Sequence, residues 1–230
     1  YVGTTYAGDV IAQEEPVTVP SIYTETVYIL GGNYWADPII RAYTINRIET
    51  PLAMDDLTVP YDGEAHPIEA YMEDGSDLPE DVLYSYVGIG YLSTEAPVNA
   101  GEYLVIAYSE GDDMNAPATA TAKLTIEKLD AVITVTCADE VVYGDVSMFD
   151  ISAADLQYTV SGTINEDKLG VIYPILERNM NYPNVGEYTA TAFFVQTNFN
   201  YSVTVEDAVM NIVPREVSVT IDNIEKAYRS

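Results

Sequence analysis

The sequence predicts an all-β protein, organised as tandem Ig-like β-sandwich modules in an elongated rod. Three observations point there. Short alternating strands run through the chain, β-forming residues dominate its composition, and one pattern of turns and strands returns with a period in the eighties.

Tyrosine leads the composition argument. The chain holds 20 Tyr against 4 Phe and one Trp, and Tyr suits half-buried sheet positions with a packed ring and a wet hydroxyl. Hydrophobic residues make up 48%, enough to build packed cores rather than a disordered chain. In VITVTC, Val132, Thr134 and Thr136 alternate with Ile133, Val135 and Cys137, so one face is apolar. YTATAFFV and YSVTVEDAVMNI alternate in the same way, and TVTCADEVV reads as strand. No long segment carries apolar residues at helical spacing. A short helical turn around Pro79-Glu80-Asp81 is the most helix expected.

The repeat emerges on aligning NAGEY with NVGEY. Tyr103 and Tyr188 stand 85 residues apart, and Tyr23 falls 80 residues before Tyr103. Each opens a run of β-formers: YTETVYIL, YLVIAYSE and YTATAFFV. Each run meets a turn, and a closing strand follows: AYTINRI, AKLTIEKL and AVMNIVPRE. The starts match too, AVITVTCADEVVYGD at 131 with VSVTIDNIEKAYRS at 217, and LAMDDLTVPYDGEAH holds this role in between with Tyr61. Residues 1–48 therefore read as the C-terminal half of a repeat, 49–129 and 130–216 as complete repeats, and 217–230 as the first strand of a further one. The joints INRIETPL, IEKLDAV and IVPREVSV hold no Gly/Ser linker, which favours a stiff rod. Opening in mid-repeat on Tyr1, the chain reads as a piece of a longer array.

Charge narrows the partners. Nine Lys and Arg face 37 Asp and Glu, a net charge of −28 that repels nucleic acid and anionic lipid. No apolar run approaches the length of a membrane span. Cys137 is the single cysteine, so no intrachain disulfide forms, and with His66 the single histidine no Cys/His metal cluster is expected.

From the turns and strands a resemblance follows. Tyr143-Gly144-Asp145, then LQYTVSG, then the VGEY turn and strand, then NFNYSVTVEDAVMNIVPREV resemble the MBG-type repeat of bacterial surface proteins. The likeness covers residues 130–216. YDGEAHPIEA from Tyr61 and the retained NAGEY extend it to a more divergent middle unit, and residues 1–48 keep only the Tyr23 strand, GGNY and AYTINRI. The resemblance implies tandem extracellular domains of an adhesin or stalk on a bacterial cell surface, without enzymatic activity. It names no ligand and carries over no binding residues.

Four groups of residues invite a functional reading. In the GEY elements, Glu102 and Glu187 have the chemistry of general acids. A structural reading fits better: Gly101 and Gly186 form the turn, and Tyr103 and Tyr188 start core strands with hydroxyls bonding the backbone. Tyr34 and Trp35 in NYWADP form either a stacking platform for a glycan or a packing contact. EDGSD at Glu73 and EGDDMN at Glu110 offer oxygen ligands of the kind Ca²⁺ takes, but their spacing departs from the EF-hand loop, and a solvated turn is the other reading. His66, with no second ligand, reads as a structural hydrogen bonder. The function expected is a structural stalk segment whose partners are neighbouring repeats, with no cofactor. One alternative is a module binding a host glycoprotein or polysaccharide. The other is a head-to-tail filament in which the strand VSVTID complements the incomplete N-terminal unit of another copy.

Overall fold

A computed structural model describes residues 19–27, 33, 36–147, 150–177, 183–222 and 228. The chain is all-β, and its strands lie in several sheets. Among the described residues the one helical element is a 3-10 turn at Ser152–Ala154. The chain divides into two compact units. Unit 1 comprises Tyr1–Val59 and Ala65–Thr125, and unit 2 comprises Pro60–Glu64 and Ile126–Ser230.

Unit 1 begins with a hairpin of β1 (Ser21–Val27) and β2 (Ile39–Ile45), antiparallel, with Tyr23 opposite Tyr43. The two rings stack with centroids 5.6 Å apart. The strands that follow are β3 (Leu52–Ala53), β4 (Leu57–Pro60), β5 (Tyr71–Met72), β6 (Leu83–Gly88), β7 (Tyr91–Ser93), β8 (Gly101–Ser109) and β9 (Ala118–Glu127). β3 pairs with β5, and the other five form a sheet in the order β4-β9-β8-β6-β7.

Alternation decides which side chains enter the core. Along β8, Tyr103, Val105, Ala107 and Ser109 are buried while Glu102, Leu104 and Tyr108 are exposed. Along β9, Ala120, Ala122, Leu124 and Ile126 are buried. Ala70, Ala107 and Ala120 pack with Leu52, Met54, Val82 and Tyr84, closing the short sheet over the large one. Burying a side chain such as Leu124 contributes about 1.5–3 kcal/mol. The joint residue Ile48 is tied in by backbone bonds. Its N–H donates to the Met114 carbonyl at 2.8 Å, its carbonyl accepts from the Ala116 N–H at 2.7 Å, and it bridges Asn115 in parallel.

Unit 2 holds β10 (Leu129–Thr136), β11 (Glu140–Val142), β12 (Gln157–Ser161), β13 (Gly170–Leu176), β14 (Gly186–Gln196), β15 (Tyr201–Glu206) and β16 (Ala208–Val213). They form a three-stranded sheet, β12-β10-β15, and a four-stranded sheet, β11-β16-β14-β13. β10 runs antiparallel to β12 and parallel to β15. The core gathers Val141, Val146, Ala154, Tyr188, Met210 and Ile212, with Cys137 and Leu156 at its margin.

One segment expected as a single strand is two strands, and one alternating run divides in the same way. The run TVTCADEVV stops at Thr136 and resumes at Glu140, in the other sheet. Between them the Ala138 N–H donates to the Ala154 carbonyl at 2.8 Å, and the Asp139 carbonyl accepts from the Asn211 N–H at 2.8 Å. These bonds hold the crossing point. YSVTVEDAVMNI likewise breaks at Asp207, with β15 in one sheet and β16 in the other. Across the first break the buried positions stay odd-numbered, Ile133 and Val135 before it and Val141 after it, so alternation does not reveal the switch; across the second they move from odd-numbered Tyr201 to even-numbered Met210 and Ile212.

The two units order their strands alike. β4-β9-β8-β6 in one sheet corresponds to β11-β16-β14-β13 in the other, and β3-β5 corresponds to β10-β12. The joints correspond as well. The Leu129 N–H donates to the Asn200 carbonyl at 3.0 Å and Leu129 pairs in parallel with Tyr201, as Ile48 does with Met114 and Asn115.

Candidate functional site

The GEY elements put their two polar groups on opposite faces. Tyr103 is buried, and its hydroxyl donates to the Asn99 carbonyl at 2.8 Å. Tyr188 is buried, and its hydroxyl donates to the Asn184 carbonyl at 2.8 Å. Tyr23, at the corresponding place in the hairpin, donates to the Val19 carbonyl at 2.7 Å. Glu102 lies on the exposed face and accepts from Lys123 Nζ at 2.7 Å. A strand alternates its side chains, so a glutamate and the tyrosine after it cannot face one cleft. Gly186 sits at φ +146°, in the region that favours glycine. At Gly101 the need is space: a Cβ there would lie 3.3 Å from the Tyr103 hydroxyl.

An acidic concavity lies in unit 1. It is a cleft of about 500 Å³ at the joint, flanked by Ile48 and Asn115 and walled by the connection between β5 and β6. Glu49, Asp74, Asp77, Glu80, Asp81 and Asp112 line it, and no lysine, arginine or histidine is among the described residues lining it. Its floor is rigid. Ser109 is fully buried and donates to Asp81 Oδ1 at 3.0 Å, while the Glu110 N–H donates to Asp81 Oδ2 at 2.9 Å. Asp112 accepts from the Met114 and Asn115 N–H groups, both at 2.7 Å. Asp74 accepts from the Ser76 hydroxyl at 2.6 Å and its N–H at 3.0 Å. Hydrogen bonds from Asn115 and Met114 hold the Asp112 carboxyl below the usual carboxylate range, and Ser76 does the same to Asp74. The cleft can accept hydrogen-bond donors and positive charge. Ser109 donates to a carboxylate, with no imidazole among the lining residues to take its proton.

Unit 2 presents the counterpart of that cleft in a filled form. Its seat is the connection between β12 and β13 together with Tyr201, the first residue of β15. The segment Pro60–Glu64 occupies it. Tyr61 is 7% exposed and Tyr201 1%. Their rings meet edge to face at 5.8 Å, and both hydroxyls donate to Asp167 Oδ2, at 3.2 Å from Tyr61 and 2.8 Å from Tyr201. Burial first, then the Asp167 carboxylate, raises the Tyr61 pKa, and burial with Asp167 raises that of Tyr201. Gly63, at φ +83°, lets the turn close on Asn165. A Cβ there would fall 2.7 Å from Asn165 Nδ2.

Unit 2 holds a second tyrosine turn, after β11. The Tyr143 N–H donates to the Val213 carbonyl at 2.8 Å, as the Tyr61 N–H donates to the Glu127 carbonyl at 2.8 Å. Tyr143 is 46% exposed, beside an open hollow lined also by Asn184, Val185, Pro214 and Arg215. Arg215 ties the turn together, with Nε donating to the Tyr143 carbonyl at 2.8 Å and Nη2 pairing with Asp145.

Of the other candidates, Tyr34 and Trp35 lie outside the described residues. The two Asp-rich turns, EDGSD and EGDDMN, both line the acidic cleft, a juxtaposition the sequence does not announce. Among the described residues, no group of three or more His, Cys, Asp or Glu is placed to hold a metal ion. The His66 N–H donates to the buried Pro97 carbonyl at 3.4 Å. Cys137 lies at the core margin, where burial and then Asp139 raise its thiol pKa. The sequence singles out none of Asp81, Ser109, Asp167 and Tyr201 as a site residue. Their partners are distant in the chain, and no local motif marks them. Among the described residues no helix is long and apolar enough to cross a membrane. No known family model matches this chain, and no curated protein matches it in sequence.

Proposed function

We propose that this chain is a structural segment of a bacterial surface stalk or adhesin, built from tandem Ig-like modules with repeats at 49–129 and 130–216, a half-repeat at 1–48 and a further start at 217–230. One observation carries the reading: the joint bonds recur. Ile48 to Met114 and Leu129 to Asn200 are the same backbone contact, made by the last residue of one repeat to a residue of the next. The joints hold no Gly/Ser linker, which favours a stiff connection. The partners are then neighbouring repeats, the location is the outside of the cell, and the negative charge keeps adjacent stalks apart. Small-angle X-ray scattering of the whole chain tests the rod. A single compact body of this length has a radius of gyration of about 17 Å. The proposal expects a value well above that, with a rod-like cross-section term, and a compact value sinks it.

A further inference from the structure

We infer that the outer face of the β13–β14 pair, with its counterpart on β6 and β8, is a contact surface between copies of this chain. The inference goes beyond the stalk reading and does not depend on it. Residue pattern, recurrence and charge lead to it.

A strand with one wet face alternates apolar with polar residues, whereas a strand covered on both faces reads as a continuous apolar run. β9 follows the first rule, with Thr119, Thr121 and Lys123 outward and Ala120, Ala122 and Leu124 inward. β13 follows the second, since its sequence GVIYPIL holds no charged residue. Leu176 packs against the core of unit 2, yet Val171, Tyr173 and Ile175 are exposed on the other side. Val195 and Phe193 of β14, opposite Val171 and Tyr173, are exposed as well. The pair has the sequence of a structure covered on both faces, and one face is open.

The same feature recurs in unit 1. Tyr108 and Phe193 lie 85 residues apart, the offset that separates Tyr103 from Tyr188. They are 41% and 58% exposed, and each stands opposite an exposed hydrophobic residue, Leu83 or Tyr173. Val87 pairs with Leu92 and with Leu104, and all three are exposed. Tyr103 and Tyr188 serve the core, which a shared fold requires. Tyr108 and Phe193 are turned away from that core, so an outward aromatic at one place in both units points to a use on the surface.

Charge selects the occupant. The chain carries −28, so two copies repel wherever their carboxylates meet. The outward positions of β13, and those of β14 from Thr189 to Val195, hold no charged residue, and Glu177 and Glu187 stand beyond them at one end. In unit 1, Glu102 stands beyond Leu104 and pairs with Lys123. On these faces two such chains can meet without bringing carboxylates together. A sugar needs several placed polar groups to orient it, and these faces offer mainly aliphatic and aromatic carbon. Sheet faces of that kind stack about 10 Å apart, and a face that meets its own copy about a two-fold axis makes an isologous contact. The five exposed side chains named in each unit offer roughly 500 Å², against about 800 Å² per partner in a stable complex. One face therefore supports a weak, reversible dimer.

Sedimentation velocity on the 230-residue chain, up to millimolar concentration and at about 0.05 and 0.5 M salt, tests this. The wild type should form reversible dimers, and more of them at the higher salt, because screening removes repulsion and leaves apolar contact intact. Combining Tyr108→Glu with Phe193→Glu puts a carboxylate in each face and should weaken association about tenfold or more. Combining Tyr108→Leu with Phe193→Leu should keep it. Ser202→Glu with Thr204→Glu adds the same charge at exposed positions of β15, in the other sheet, and should leave association unchanged. Amide shifts of the wild type on dilution need no variant, and those that move should lie on β6, β8, β13 and β14. A chain monomeric at millimolar concentration in high salt overturns the inference. So does association that salt weakens, a β15 variant that loses as much as the face variant, or dilution shifts confined to other strands. A monomeric chain that binds a soluble polysaccharide, and loses it in the Glu face variant, overturns it in favour of a glycan. Scattering from the dilute chain reads the rod in every case, so the two readings fail separately.

Discussion

The Tyr188 hydroxyl donates to the carbonyl of Asn184, four residues earlier, and the Asn184 N–H donates back to that hydroxyl, both at 2.8 Å. The tyrosine thereby clamps the turn that precedes its own strand. Tyr103 makes the corresponding bond to Asn99. Removing either hydroxyl while keeping the ring isolates the clamp. Tyr188→Phe and Tyr103→Phe should each cost about 1 kcal/mol, against about 3–5 kcal/mol for truncation to Ala. Urea denaturation measures both. A Phe variant as stable as wild type would show that the ring alone does the work.

Glycine substitutions should separate conformational cost from crowding. Gly162 and Gly90 both have positive φ, +82° and +71°. A Cβ on Gly162 would sit 2.3 Å from the Asp130 carbonyl oxygen, whereas around Gly90 nothing lies within 4 Å. Gly90→Ala should therefore cost only the left-handed penalty, about 1–2 kcal/mol. Gly162→Ala should cost clearly more, since β10 must shift to admit it. Equal losses in thermal melts would contradict this.

How much of this was legible in the sequence follows from which contacts are local. The clamp is local, spanning five residues, so NAGEY and NVGEY disclosed it. The alternation of Ile133 and Val135 against Thr134 disclosed the buried face of β10, and both are buried as that pattern requires. The sheet switch at Cys137 was hidden, because the buried positions stay odd-numbered from Val135 to Val141, whereas at Asp207 two acidic residues in a row move the buried set from odd-numbered Tyr201 to even-numbered Met210 and Ile212. The seat of Tyr61 was hidden for a different reason. Its partner Asp167 lies 106 residues away, and the residue at Tyr201's place in unit 1 is Asn115, so no repetition betrayed the pair. The acidic cleft was half legible: both Asp-rich turns were visible, but not that they line one cleft.

Alkaline pH should expose the Tyr61–Asp167–Tyr201 cluster. Both phenols have raised pKa values, chiefly through burial and then through Asp167. The unfolded chain releases these protons near pH 10, while the folded chain retains them to higher pH. Stability from this source is therefore complete below about pH 10 and is lost as pH rises toward the folded values. Tyr201→Phe should lower stability at neutral pH by about 2 kcal/mol, since it gives up bonds to Asp167 and to the Ile164 N–H. The same variant should also flatten the alkaline decline. A decline of unchanged slope would assign it to other tyrosines.

Cys137 should be a slow thiol. Burial at the core margin, with Asp139 nearby, favours the protonated form, and the thiolate is the reactive species. Its labelling by a disulfide reagent at about pH 8 should lag a free cysteine by roughly tenfold or more in the folded chain, and match it in urea. Equal rates without denaturant would place the sulfur in open solvent.

The acidic cleft makes its own prediction at low pH. The Asp112 carboxylate is held below its ordinary pKa by the Asn115 and Met114 donors, and Asp74 by Ser76. A depressed folded pKa contributes stability above the unfolded value, near 3.8, that is lost as pH falls through the folded value. Both turns line the same cleft, so their release should loosen the cleft before the core. Asp112→Asn keeps an oxygen that can accept from the Asn115 N–H but does not titrate. Thermal melts between about pH 6 and pH 2 should therefore show a shallower acid decline for Asp112→Asn than for wild type. If the two declines coincide, the carboxylate charge contributes nothing to the turn, and the depressed pKa has no counterpart in stability.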